Sequence, residues 1–274
     1  MKITRLGGAL GAEVRGVDLA RLDEPTGVAI RKAFHEHLVL VFPDQELPAG
    51  AEIEFTELYG PGEPHPLRTR ETVDGFPAVL ILENCPGRPG ARNDYWHSAI
   101  SHAERPPAVT ALHSLEIPDG RGDTMFCNMY GAWEELSEGR PTVFQGLRAL
   151  HSGMPTYARS LEQNDARPIE LAETKPPRAH SVARTHPAAG RPALFVNPHF
   201  TTGFKGMTEE ESRPLLGALY KTATRPKNIY RHRWHPDDVV MWDNRCTMHY
   251  AVMDYTEDMP RLLYRTTAGG GIPY

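Results

Sequence analysis

Cysteine is scarce in this chain: three occur in 274 residues, Cys85, Cys127 and Cys246, with no close pair among them. Neither a disulfide framework nor a thiolate zinc cage is therefore expected, and a reducing, cytoplasmic setting fits. Basic charge is not in excess either. The formal net charge is -5 and the pI about 6.2, which argues against a nucleic-acid partner, because such affinity rests on a basic surface that releases counterions. Long apolar runs are missing as well. Met1 to Leu6 holds too few apolar residues for a signal segment, and no later run approaches the roughly 20 that span a bilayer, so no membrane partner is expected.

What the chain does have is punctuation. Its 25 prolines and 24 glycines are scattered rather than gathered in a linker, and they separate short apolar runs, which is a β-rich, loop-rich pattern. Residues 39–42, 78–82, 193–196 and 239–242 have strand length and β-forming composition. Residues 26–38, 51–59, 129–136 and 208–222 fit helices, the last opened by a capping box from Thr208 to Glu211. The length suits one core. The expected fold is mainly β with flanking helices, a double-stranded β-helix of the jelly-roll or cupin-like kind, in a single domain over residues 1–274. The polar, proline-bearing stretch 157–184 lacks periodicity and is expected to be a lid insertion.

Thirteen histidines are present, and two sit in segments with aromatic and strand-forming neighbours. These are Trp96-His97-Ser98-Ala99, and Trp242-Asp243-Asn244-Arg245 followed by His249-Tyr250. The two histidines lie 152 positions apart. Both segments resemble the metal-ligand stretches of the taurine dioxygenase and 2,4-dichlorophenoxyacetate dioxygenase family, and the similarity extends over nearly the whole chain. The resemblance implies Fe(II), 2-oxoglutarate and O2, with His97 and His249 as metal ligands. It also implies that Thr124 and Arg261 hold the distal carboxylate of 2-oxoglutarate, a task suited to a hydroxyl and a guanidinium fork. Arg265 would bind a small anionic substrate in a pocket shared with His65, Asn93, Tyr157 and Phe200. Members of this family commonly form homo-oligomers, dimers or tetramers, and the same is expected here.

One position departs from the pattern. Where the family places a carboxylate ligand, this chain has Ala99, and a methyl group cannot complete the two-histidine, one-carboxylate face. Three readings stay open: an oxygenase of small organic acids impaired by an Asp-to-Ala change, a halogenase with chloride at the vacated position, or a non-catalytic cupin-like binding protein. His102, five positions after His97, is expected on the opposite face if that segment is a regular strand.

Overall fold

Apolar residues that alternate between two faces need a partner layer on each, and the central strands of this chain do so throughout. The computed structural model describes residues 1–62, 71–90, 92–156 and 176–274. The described strands are β1 (Lys2–Arg5), β2 (Ala12–Arg15), β3 (Val39–Phe42), β4 (Thr72–Val73), β5 (Phe76–Asn84), β6 (Pro107–Glu116), β7 (Thr124–Asn128) and β8 (Arg148–His151). They continue as β9 (Arg178–Ser181), β10 (Ala183–Thr185), β11 (Pro192–Leu194), β12 (Thr201–Phe204), β13 (Ile229–His232), β14 (Val239–Asp243), β15 (Thr247–Ala251) and β16 (Arg261–Gly270). The helices are α1 (Glu24–His37), α2 (Ala49–Glu57), α3 (Met129–Glu134), α4 (Gly139–Gln145) and α5 (Glu209–Ala223).

The principal sheet has the order β1-β2-β3-β14-β6-β16-β5-β4, and smaller sheets run β13-β7-β15, β12-β8-β9 and β10-β11. Period-two alternation assigns the two faces. Val39, Val41, Val240 and Trp242 enter one buried cluster together with Phe126 of β7, Ala149 of β8 and Met248 of β15. Their neighbours Leu40, Phe42, Val239 and Met241 enter a second cluster with Ile30, Ala33 and Phe34 of α1 and Phe55 of α2. The principal sheet is thus covered by helices outside and by the smaller sheets inside. That is the jelly roll expected from the sequence.

Local chemistry sets the helix ends. Asp23 accepts from the Thr26 N–H at 2.8 Å and Pro25 follows it, so α1 starts at Glu24, two residues before the sequence-based start. The capping box of α5 is present, with Thr208 and Glu211 each satisfying the other's backbone N–H. The expected strand over 193–196 is shorter, ending at Leu194. The expected lid over 157–184 is corrected at its end: β9 pairs antiparallel with β8, so residues 178–181 belong to the barrel wall. Residues 183 and 184 likewise belong to β10, and 157–175 lie outside the described residues.

Candidate active site

The Trp242-Asp243-Asn244-Arg245 run fixes the turn that delivers β15. Asp243 is fully buried and receives Arg245 at 2.6 and 2.8 Å and His186 Nε2 at 2.9 Å. Burial alone would raise its carboxyl, but the Arg245 guanidinium and His186 hold it well below the usual carboxylate range. Asn244 accepts from the Trp242 indole at 2.9 Å and donates to Thr110 on β6 at 2.8 Å. His186, Asp243 and Cys246 lie close enough to share an ion. The carboxylate is already taken by the two cationic or donor partners, however, so the cluster reads as structural.

With that turn fixed, β15 runs beside β7 with His249 opposite Phe126 and Ala251 opposite Thr124. An isolated antiparallel bridge then ties residue 97 to residue 249: the His97 N–H donates to the His249 carbonyl at 3.0 Å and the reverse bond is 2.8 Å. The imidazole centroids stand 4.0 Å apart. Both rings are neutral. Burial, the largest cause, pushes His97 down to about 4, against a smaller upward effect of the Tyr95 carbonyl. His249 is held well below its ordinary value by burial, by His97 and by Arg265. His97 Nδ1 lies 2.9 Å from the Tyr95 carbonyl oxygen. A carbonyl can only accept, so Nδ1 carries the proton and Nε2 keeps its lone pair. The buried Nδ1 of His249 has no hydrogen-bond partner among the described residues.

The imidazoles open onto a cavity of about 220 Å³ lined also by Asn93, Ala99, Thr124, Phe200, Arg261 and Arg265. Strand geometry explains the arginines: positions 261, 263 and 265 share one face of β16, with Arg261 opposite Asn84 and Arg265 opposite Leu80 on β5. Arg261 Nη2 donates to the Gly122 carbonyl at 3.3 Å, its guanidinium stands 5.6 Å from the Tyr255 ring, and its buried Nε has no acceptor among the described residues. Thr124 Oγ1 accepts from the Trp234 indole at 3.0 Å, which leaves the hydroxyl proton free to donate. Leu80, Leu82 and Leu112 supply an apolar wall.

Ala99 is 4% exposed, in a turn where Ser98 donates to the Thr247 carbonyl at 2.8 Å and Ser101 pairs with Asn197 at 2.9 Å and His151 at 3.0 Å. Between these anchors Ile100 has φ +49°, a left-handed conformation that a β-branched residue rarely adopts. The segment is a turn and not a strand, and this corrects the expected orientation of His102, which lines the same cavity. His65 and Tyr157 lie outside the described residues. Trp234 and Tyr255, which stand beside Thr124 and Arg261, are single residues without a motif and carry no signal in the sequence. Nothing local in the sequence marks His186 as the partner of Asp243.

A jelly roll with paired neutral imidazoles and an arginine at one cavity defines a class, the non-haem oxygenases that use an oxo acid as cosubstrate. Within it, the chain belongs to the taurine catabolism dioxygenase TauD, TfdA family, whose model matches residues 2–267. It is 36% identical to an alpha-ketoglutarate-dependent sulfate ester dioxygenase of Pseudomonas putida, over 97% of this chain and 88% of that protein. It is 33% identical to an alkylsulfatase of Acinetobacter baylyi, over 99% of this chain and 86% of that protein. The crystal structure of a taurine dioxygenase from Burkholderia xenovorans superposes with a TM-score of 0.84 at 32% identity, covering 99% of this chain and 90% of that one.

Proposed function

We propose that this chain is a 2-oxoglutarate-dependent oxygenase of small anionic organic compounds, with sulfate esters as the first substrates to try and with turnover impaired by Ala99. The observation that carries the reading is the combination in one cavity of two imidazoles that burial holds toward the neutral form and Arg261, whose buried Nε has no acceptor among the described residues. A buried guanidinium N–H without a partner costs free energy, and a ligand carboxylate would satisfy it. Iron fits two of the three family positions. His97 and His249 would hold it, and Ala99 offers no donor. When bound, iron and 2-oxoglutarate supply the oxidising chemistry.

The remaining roles fall to the chain itself. Thr124 and Arg261 would grip the distal carboxylate of the keto acid, fixing its orientation through charge-assisted hydrogen bonds. Arg265 would bind the substrate anion, while Leu80, Leu112 and Phe200 exclude water and hold its apolar part. The three cysteines are unpaired, in keeping with a reducing cytoplasm. Among the described residues no helix is long and apolar enough to cross a membrane. The relatives described above are dioxygenases and an alkylsulfatase, so halogen transfer and a purely binding role are not carried further.

The test compares the chain with Ala99→Asp, each given Fe(II), 2-oxoglutarate, oxygen and a short-chain alkyl sulfate, with succinate as the readout. Substrate-dependent succinate should appear in the Asp variant and be at least tenfold lower in the unsubstituted chain, since even losing a group that only orients a metal ligand costs about 10–100-fold. Absence of succinate in both, across alkyl sulfates and sulfonates, would overturn the proposal.

A further inference from the structure

One imidazole on the cavity wall has no task in the scheme above. His102 lines the cavity, carried there by the turn that Ser98 and Ser101 anchor and Ile100 bends. Phe200 touches both it and His97, with ring centroids 4.8 Å from His102 and 6.3 Å from His97. A molecule lying along Phe200 therefore passes from one imidazole to the other. Other polar side chains on the wall are engaged. Arg88 pairs with Glu71 and Glu83, Asn84 donates to the Thr256 and Met259 carbonyls, Tyr95 donates to Asn93, and Thr156 pairs with His199. His102 has no such partner among the described residues.

Burial holds the His102 pKa down to about 4, with His180 adding to the effect, so the ring is neutral and carries one N–H and one lone pair. Its Nδ1 is closed off from the cavity without a hydrogen bond among the described residues. An N–H enclosed without an acceptor is costly, and an unused lone pair is the milder loss. The lone pair therefore belongs on Nδ1 and the proton on Nε2, the nitrogen left to face the cavity. We propose that His102 Nε2 donates a hydrogen bond to an uncharged oxygen of the substrate, an ether, hydroxyl or carbonyl, and so favours small anions that carry such an oxygen over those with plain alkyl chains. A site that offers a donor discriminates against an analogue without the acceptor, because the donor is then left unpaired. The inference rests on the oxygenase reading above and narrows its substrate class. His102 takes no part in the oxidation; it reads a part of the substrate that is not oxidised.

Calorimetry of the anaerobic protein with Mn(II) and 2-oxoglutarate reads substrate binding without turnover. The probes are n-pentyl sulfate and two ethers of equal chain length, 2-ethoxyethyl sulfate and 3-methoxypropyl sulfate. An ether oxygen forfeits some apolar burial, so the quantity to compare is the ratio of ether Kd to pentyl Kd. For at least one ether this ratio should rise about fivefold or more in His102→Phe, the worth of one hydrogen bond, while n-pentyl sulfate stays within about twofold of its affinity for the parent. His102→Leu, which also lacks the donor, should raise the same ratio and gives a second reading if the Phe variant melts early. Unchanged ratios for both ethers, or loss of all the sulfates from a variant that melts like the parent, would overturn the role of His102 and leave the oxygenase reading standing. If none of the sulfates binds the unsubstituted chain, the anionic-substrate reading falls and this proposal with it.

Discussion

Arg261 and Asp243 show two opposite uses of a buried charge. Among the described residues Arg261 is short of acceptors, with an unpartnered Nε, one long bond to the Gly122 carbonyl and the Tyr255 hydroxyl beside it. Asp243 is saturated by Arg245, by His186 and by the Arg245 backbone N–H at 3.0 Å. Their substitutions should accordingly fail in different ways. Arg261→Ala is expected to leave the melting temperature within a few degrees of the parent while weakening 2-oxoglutarate by about 2–3 kcal/mol, the worth of a charged hydrogen-bonded contact, as calorimetry would show. Asp243→Asn should instead cost about 3–5 kcal/mol of stability in urea unfolding, because Arg245 stays buried without its counter-charge. The His97 and His249 motifs could be recognised in the sequence. The partner of Asp243 could not, since His186 is 57 positions away and nothing local marks the pair.

Among the elements, β16 carries most of the responsibility for the site. It holds Arg261 and Arg265 on its cavity face and packs along its length against β5 and β6. Its far end is fixed by a close backbone approach. Gly269 has φ +63°, and a Cβ there would lie 2.5 Å from the Tyr59 carbonyl oxygen, while a Cβ on Gly60 would lie 2.8 Å from the Gly269 Cα. Neither neighbour is a side chain that could swing away. Gly269→Ala is therefore expected to destabilise by more than about 2 kcal/mol, combining left-handed strain with a backbone clash, and this can be measured by chemical denaturation. Strands β3 and β14 and helices α1 and α5 were legible from composition and caps. The boundary between lid and wall near residue 178 was not, because a four-residue strand of sequence Arg-Ala-His-Ser carries no apolar period and is a strand only through its pairing with β8.

For the molecule as a whole, buried titratable groups outside the proposed ligand set shape the pH dependence of stability. Glu52 on α2 is fully buried, donates to nothing, and accepts only from Thr266 at 3.3 Å. Burial raises its pKa to about 8, with the Thr266 hydroxyl opposing slightly. His113 lies 4.0 Å away, its own pKa lowered mainly by burial. Below about 4.5 folded and unfolded chains both hold the Glu52 proton. Between about 4.5 and about 8 only the folded chain does, so this group makes stability fall as pH rises. His151 acts in the opposite sense: burial lowers it to about 3, so as pH falls from about 6.5 the unfolded chain takes up a proton that the folded chain refuses, and stability is lost. Stability should therefore peak in mildly acidic solution. Glu52→Gln should flatten the alkaline limb, so that the urea midpoint at pH 8 rises relative to that at pH 5 compared with the parent; an unchanged difference would mean that Glu52 is not the source.

The sequence by itself determined the family and the jelly-roll class and singled out His97, His249 and Ala99, because each of these is written in residue type and in short motifs. Only the tertiary structure decided that Glu71 and Glu83 are both consumed by Arg88, that Arg261 keeps an unsatisfied N–H, and that His102 turns toward the cavity. Those outcomes depend on which side chains meet after the strands pair, and pairing joins positions far apart in the chain whose mutual charge and hydrogen-bonding needs no local pattern records.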